Sequence, residues 1–236
     1  MSENKTTAPP AIPAATVIVL RDAESGPKGI EVLLLRRNAK TAFHGGAWVF
    51  PGGHIDPEDH NPDAPDDMLA AARRAAVREA QEEAGLNLSK ADLLYFSHWT
   101  TPLVRPKRFS TWFFVAPAGR DAVQVDGAEI NAHAWMSPYE ALGARQAGEL
   151  ELPPPTFVSL TKLSAFETVE DALAYVRGRE PDIFFPKLEK VEDGYCSIYH
   201  GDAGYESSNV DEPGRRHRLW MRKGDWRYEL AQEHAS

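Results

Sequence analysis

Cysteine is nearly absent. Its single occurrence, Cys196, excludes an internal disulfide and reads as a small buried residue of a chain kept in a reducing compartment, here expected to be the cytoplasm. Long hydrophobic runs are missing too. Crossing a bilayer takes roughly 18 apolar residues, whereas the longest early run, AATVIVL at 14–20, is strand-length and β-branched. The opening MSENKTTAPPAIP has no basic segment followed by an apolar one, so no secretory leader is expected and 1–13 read as a flexible lead. Positive charge is in deficit. Lys and Arg number 26 against 35 Asp and Glu, a net charge of −9. That balance argues against a general nucleic-acid or membrane-surface binder and suits a protein that holds divalent cations.

What is present is ordinary globular material. Of 236 residues, 42% are hydrophobic and 26% charged, enough for a sizeable core. Two β-rich runs, 15–20 and 30–36, flank a loop containing Gly26-Pro27, and a short aromatic strand follows between the glycine pairs of AFHGGAWVFPGG at 42–53. Residues 54–67, HIDPEDHNPDAPDD, form a polar loop with six acidic residues. The Ala-rich stretch Met68–Ala84 lacks Pro and Gly and predicts a helix, with Asp66 or Asp67 at its start and Gly85 as the left-handed residue that ends it. Strand-like runs follow at 93–99, 109–116 and 129–136. A helix is expected after Ser137-Pro138, and beyond the prolines at 153–155 lies another helical region, with Val169–Arg177 its clearest part. HRLWMR and WRYEL around Lys223-Gly224-Asp225 read as a terminal hairpin, whose edge offers a surface for a homodimer. Irregular alternation of strands and helices predicts an α/β or α+β layered fold.

The chemistry concentrates in REAQEEAGL at 78–86. At roughly 100° per residue, Glu82 and Glu83 lie about 60° behind and 40° ahead of Glu79 around a helix, so the three carboxylates share a face. Val77, Ala80 and Ala84 occupy another arc that can pack on a sheet. Clustered like charges repel unless cations neutralise them, and hard oxygen donors of this kind suit Mg²⁺ or Mn²⁺. Arg78 beside Glu79 can orient a carboxylate through paired hydrogen bonds, and the preceding Gly52-Gly53 permits close backbone approach.

FPGG at 50–53 followed by REAQEEAGL resembles the signature of the Nudix hydrolases, with Arg78, Glu79, Ala80, Glu82, Glu83, Gly85 and Leu86 at the pattern's defined helical positions. The resemblance implies an α/β/α sandwich with a mixed sheet over about 14–150, with 151–236 as a C-terminal extension of helix and β-hairpin packed on the same domain. It also implies Mg²⁺- or Mn²⁺-dependent hydrolysis of a nucleoside diphosphate linked to another group. Glu79, Glu82 and Glu83 are then the expected metal ligands, Arg78 the residue that holds them, and Gly52 and Gly53 part of the substrate loop. Glu129, which precedes Trp135 as in other family members, shares with Glu83 the candidacy for general base. Two departures stand out. Gly53 to Arg78 spans 25 positions, 11 more than the pattern, and the family's earlier Glu is replaced by Ala70. Asp66 or Asp67 of the inserted loop is a candidate substitute, and the pattern leaves the choice open.

Substrate choice comes from outside this box. WTTPLVRPKRFSTWFFVA at 99–116, LPPP at 152–155 and the long extension resemble the branch that includes a peroxisomal coenzyme A diphosphatase. A coenzyme A motif upstream of FPGG is matched in part, by Arg37, Gly46 and Phe50, with Asn38 and Ala42 departing from it. Arg37 and Arg108 are the expected phosphate contacts, with Arg105 and Lys107 beside them. Trp112, Phe113 and Phe114 read as core, and the basic tail from Arg215 to Arg227 as local charge balance. The alternatives are an ADP-ribose, NADH or dinucleoside polyphosphate hydrolase, or a nucleotide-binding module that has lost catalysis.

Overall fold

The computed structural model describes residues 9–23, 29–39 and 45–231; Gly26-Pro27, Ala42 and most of the expected N-terminal lead lie outside them. The chain divides into two compact units. The larger comprises Ala14–His98 and Thr111–Asp182, and the smaller Met1–Pro13, Trp99–Ser110 and Ile183–Ser236.

The fold is α/β with a mixed sheet, as expected. Strands β1 (Ile12–Asp22), β2 (Ile30–Arg37), β3 (Trp48–Val49), β4 (Gly52–His54), β5 (Leu94–Thr100), β6 (Phe109–Pro117), β7 (Ile130–Met136) and β8 (Asp182–Phe184) form one sheet. Its order is β3-β2-β1-β6-β5-β8, with β4 also on β1 and β7 also on β2. The apolar run at 14–20 is buried at every position, the pattern of a strand covered on both faces. Helix α1 (Met68–Ala84) covers one face of this sheet. Its Ala72, Ala75, Ala76, Ala80 and Ala84 meet Val17, Val19, Leu33 and Leu35, and Phe114 shares that core. Alanine along the buried stripe lets the helix backbone lie close to the sheet, which brings the carboxylate face beside it to the strand ends.

The helix ends where the sequence predicts. Asp67 accepts the Ala70 N–H at 2.9 Å, and Gly85 closes α1 at φ +70° with its N–H on the Gln81 carbonyl. Helix α2 (Pro138–Gln146) opens with a Ser137–Glu140 capping box. Helix α3 (Pro154–Leu163) opens the helical region expected beyond the prolines and starts among them: Pro154 and Pro155 occupy its first turn, where a missing N–H costs nothing. Helix α4 (Val169–Arg177) starts on a Thr168 cap.

In the smaller unit the terminal hairpin is half of a larger element. Strands β9 (Lys187–Val191), β10 (Gly194–Ile198), β11 (His217–Arg222) and β12 (Asp225–Leu230) make an antiparallel sheet of order β12-β11-β10-β9. The first two strands are short and carry too little alternation to announce themselves. Cys196 is buried there, as expected. Among the described residues no helix is long and apolar enough to cross a membrane.

Candidate active site

Pro51, Gly52 and Gly53 run along β1. The Pro51 carbonyl accepts from the Thr16 hydroxyl at 2.6 Å and from the Val17 N–H at 3.0 Å, and Gly52 pairs with Thr16 across the ladder. A Cβ on Gly52 would strike the Thr16 backbone, and one on Gly53 would lie 2.6 Å from the Glu79 carboxyl carbon. Packing against backbone therefore requires glycine at 52, whereas at 53 a side chain would displace the Glu79 carboxyl group. The Gly52 N–H donates to Glu83 Oε2 at 2.9 Å, so the glycine loop reads out the helix carboxylates directly.

Arg78 gathers the rest. Its Nη1 donates to Glu79 Oε1 at 2.9 Å and to Glu82 Oε2 at 3.0 Å, while Nη2 reaches the His54 carbonyl at 3.0 Å and Asp59 Oδ2 at 2.9 Å. Hydrogen bonds and charge from Asp59 and Glu79 hold the guanidinium more firmly protonated than usual despite partial burial. Burial pushes the Glu79 carboxyl up, against the pull of Arg78. Glu83 is only 5% exposed. Burial raises its carboxyl to about 7; the Gly52 N–H opposes the shift, Glu79 adds to it, and Arg37 and Glu129 act in opposite directions. Burial pushes both the half-buried Glu79 and the buried Glu83 towards protonation, and Glu79 adds to the shift at Glu83; such a set of crowded hard oxygen donors fits a divalent cation. Among the described residues no three acidic, His or Cys side chains already close around one point; Glu79 and Glu82 each lend an oxygen to Arg78.

Glu129 comes from the strand opposite. The β2–β7 register shifts between Arg36 and Arg37, and in the resulting turn the Asn38 N–H donates to the Glu129 carbonyl at 2.7 Å. Asp126 accepts the N–H groups of Glu129 and Ile130 at 3.0 and 2.9 Å. The Glu129 side chain is 65% exposed and stands 3.6 Å from Arg37 Nη2. Arg37 Nε is buried with no hydrogen-bond partner among the described residues.

The structure thus brings together Gly52, Gly53, Arg37, Arg78, Glu79, Glu82, Glu83 and Glu129. One expectation fails. Arg108 is 7% exposed, with Nη1 on the Pro9 carbonyl at 2.7 Å and Nε on that of Thr101 at 3.1 Å. It ties main chain in the smaller unit instead of awaiting a phosphate. Asp67, one of the two candidates to stand in for the residue at Ala70, gives a carboxylate oxygen to the α1 cap. Arg78 is met by Asp56 and Asp59. Those two, with Asn38 and Asp126, were invisible to pattern reading, since nothing in a run of six acids marks which one folds inward.

Comparison with known proteins agrees with this geometry. A NUDIX domain model matches residues 11–156. An acyl-coenzyme A diphosphatase of Xenopus laevis is 24% identical over an alignment of 270 positions, gaps included, that covers 74% of this chain and 71% of that protein. A peroxisomal coenzyme A diphosphatase of Caenorhabditis elegans is 38% identical over 74 residues, 31% of this chain and 27% of that protein. The crystal structure of a NUDIX hydrolase from Alicyclobacillus acidocaldarius, 29% identical, superposes with a TM-score of 0.62 over 70% of this chain and 96% of that one. With the three carboxylates, the arginine and the glycine loop assembled on a matching fold, the chain belongs to the NUDIX domain family and is a hydrolase of phosphoanhydride bonds.

Proposed function

We propose that this protein hydrolyses the pyrophosphate of coenzyme A or its thioesters, in the cytoplasm, with Glu79, Glu82 and Glu83 holding Mg²⁺ or Mn²⁺. The observation that carries the hydrolytic part is the Gly52–Glu83 and Gly53–Glu79 juxtaposition, which places buried carboxylates against a backbone that a phosphate can approach. The substrate rests on the likeness to the acyl-coenzyme A diphosphatase of Xenopus laevis, which extends well beyond the signature.

Water attacks one phosphorus, the anhydride P–O bond breaks, and two phosphate monoesters leave. When bound, the cation lowers the pKa of the attacking water and neutralises phosphate charge. The chain's own groups do the remainder. Glu83 or Glu129 accepts the water's proton; Glu83 is fixed by the Gly52 N–H, and Glu129 by Asn38 and Asp126. Arg37 offers its buried Nε edge to a phosphate oxygen.

The test is turnover of coenzyme A, acyl-coenzyme A, ADP-ribose, NADH and diadenosine polyphosphates with Mg²⁺ or Mn²⁺, with products separated by chromatography. We expect coenzyme A or its thioesters to be preferred, and Glu83→Gln to lower kcat by about 10² to 10⁴-fold. Preference for another compound overturns the substrate assignment, and a fully active Glu83→Gln overturns the role of Glu83.

A further inference from the structure

The stretch 54–67 lengthens the path from the glycine loop to α1, and a mere spacer of that composition would be solvated throughout. Asp59 is not solvated, at 4% exposed. It closes a 3-10 turn, Pro57–Asp59, with Pro57 in its first position. Its N–H donates to the Asp56 carbonyl at 3.0 Å and its Oδ2 accepts the Asp56 N–H at 3.0 Å, so the carboxylate's direction is set by its own turn. That direction is α1. Oδ2 accepts from Arg78 Nη2 at 2.9 Å and Oδ1 lies 3.4 Å from Nε, while the Asp59 carbonyl accepts from Arg74 one helical turn earlier.

A guanidinium is a rigid planar fork with no acceptor of its own. Asp59 takes its Nε/Nη2 edge, which leaves Nη1 for Glu79 and Glu82. Asp56, 3.2 Å from Nη2, is half exposed and reinforces the same edge. Remove Asp59 and the fork keeps on that side only the exposed Asp56 and one carbonyl, that of His54. Charge and direction would both be lost where two carboxylates depend on them.

We propose that Asp59 is a positioning residue of the active site: from the inserted segment it aims Arg78, and through Arg78 the Glu79 and Glu82 carboxylates, for cation binding. The proposal rests on the metal-dependent reading of these carboxylates. Its test is Mn²⁺ titration of the full chain, followed by the electron paramagnetic resonance of free Mn²⁺, beside steady-state kinetics. Asp59→Asn is expected to weaken Mn²⁺ binding about 10- to 100-fold and to raise the Mn²⁺ concentration for half-maximal rate in step. At saturating Mn²⁺, kcat should stay within a few-fold of wild type. Asp59→Glu should recover part of the affinity, and Asp63→Asn, an exposed acid of the same segment, none of the loss. Wild-type binding together with unchanged binding by folded Asp59→Asn overturns the proposal alone. A wild-type chain that binds no Mn²⁺ overturns the metal reading and this proposal with it. Should Asp59→Asn not fold, the double variant Asp59→Asn/Arg78→Gln removes both halves of the pair. It should bind Mn²⁺ as Arg78→Gln does, and a further loss overturns the route through Arg78.

Discussion

Gly53 shows how much one residue can carry. It has no side chain because the Glu79 carboxyl group occupies the space that a Cβ would take. Gly53→Ala should therefore displace Glu79 without disturbing the sheet, lowering turnover on the order of 100-fold while the thermal melting midpoint stays near that of wild type. Loss of stability in place of activity would show that the glycine serves the ladder and not the carboxylate. Glu79, Glu82 and Glu83 were legible because helical periodicity puts them on one face, and Arg78 because it stands next to Glu79 in a stretch that resembles the family signature. Asp59 and Arg108 were not. Both are charged residues in locally polar sequence, and whether such a residue folds inward depends on partners distant in the chain: Arg78 for the first, the Pro9 and Thr101 carbonyls for the second.

At the scale of the element, α1 was readable to the residue because both ends have chemical punctuation and the body has none. Asp67 satisfies one of the N–H groups that the first turn leaves without partners, and Gly85 takes the left-handed turn that stops the helix. Asp67→Ala is expected to cost about 0.5–2 kcal/mol, measured by urea unfolding of the full chain; a stable Asp67→Ala would mean that packing of the alanine face alone sets the helix start. A helical region beyond prolines 153–155 was legible, but its division into α3 and α4 and the start of α3 at Pro154 were not, although prolines in a first turn are compatible with a helix. The strands β9 and β10 were missed for a different reason. Their residues alternate poorly, and pairing with β11 supplies the order that their own pattern lacks.

The whole molecule depends on pairs brought together from distant segments. In the smaller unit Trp99 stacks on Phe184 with ring centroids 3.8 Å apart, and Tyr199 meets both edge-on. Beside β11, Arg218 donates to Asp202 from Nε at 2.7 Å and from Nη2 at 2.5 Å, while the N–H groups of Gly204 and His217 complete the carboxylate's partners. Burial alone would raise the Asp202 carboxyl, but Arg218 and these donors outweigh it and hold it below the usual carboxylate range. A carboxyl depressed in the folded state contributes stability that is complete above its unfolded value, near 4, and is lost as pH falls through the folded one. Asp202→Asn should thus cost about 3–5 kcal/mol near neutral pH by stranding a buried guanidinium. It should also flatten the acid limb of the stability curve, as read by denaturant unfolding across pH; an unchanged acid limb would remove Asp202 as the group responsible. The sequence by itself determined the carboxylate-bearing helix, its caps, the glycine loop, the family and the acidic character of the chain, because each is written in neighbouring residues or at helical spacing. Which acid of the insertion holds Arg78, which arginines are structural and how the segments around Trp99, Phe184 and Tyr199 combine were decided only by the tertiary structure. Burial, and the partner that makes burial of a charge affordable, are properties of residues far apart in the chain.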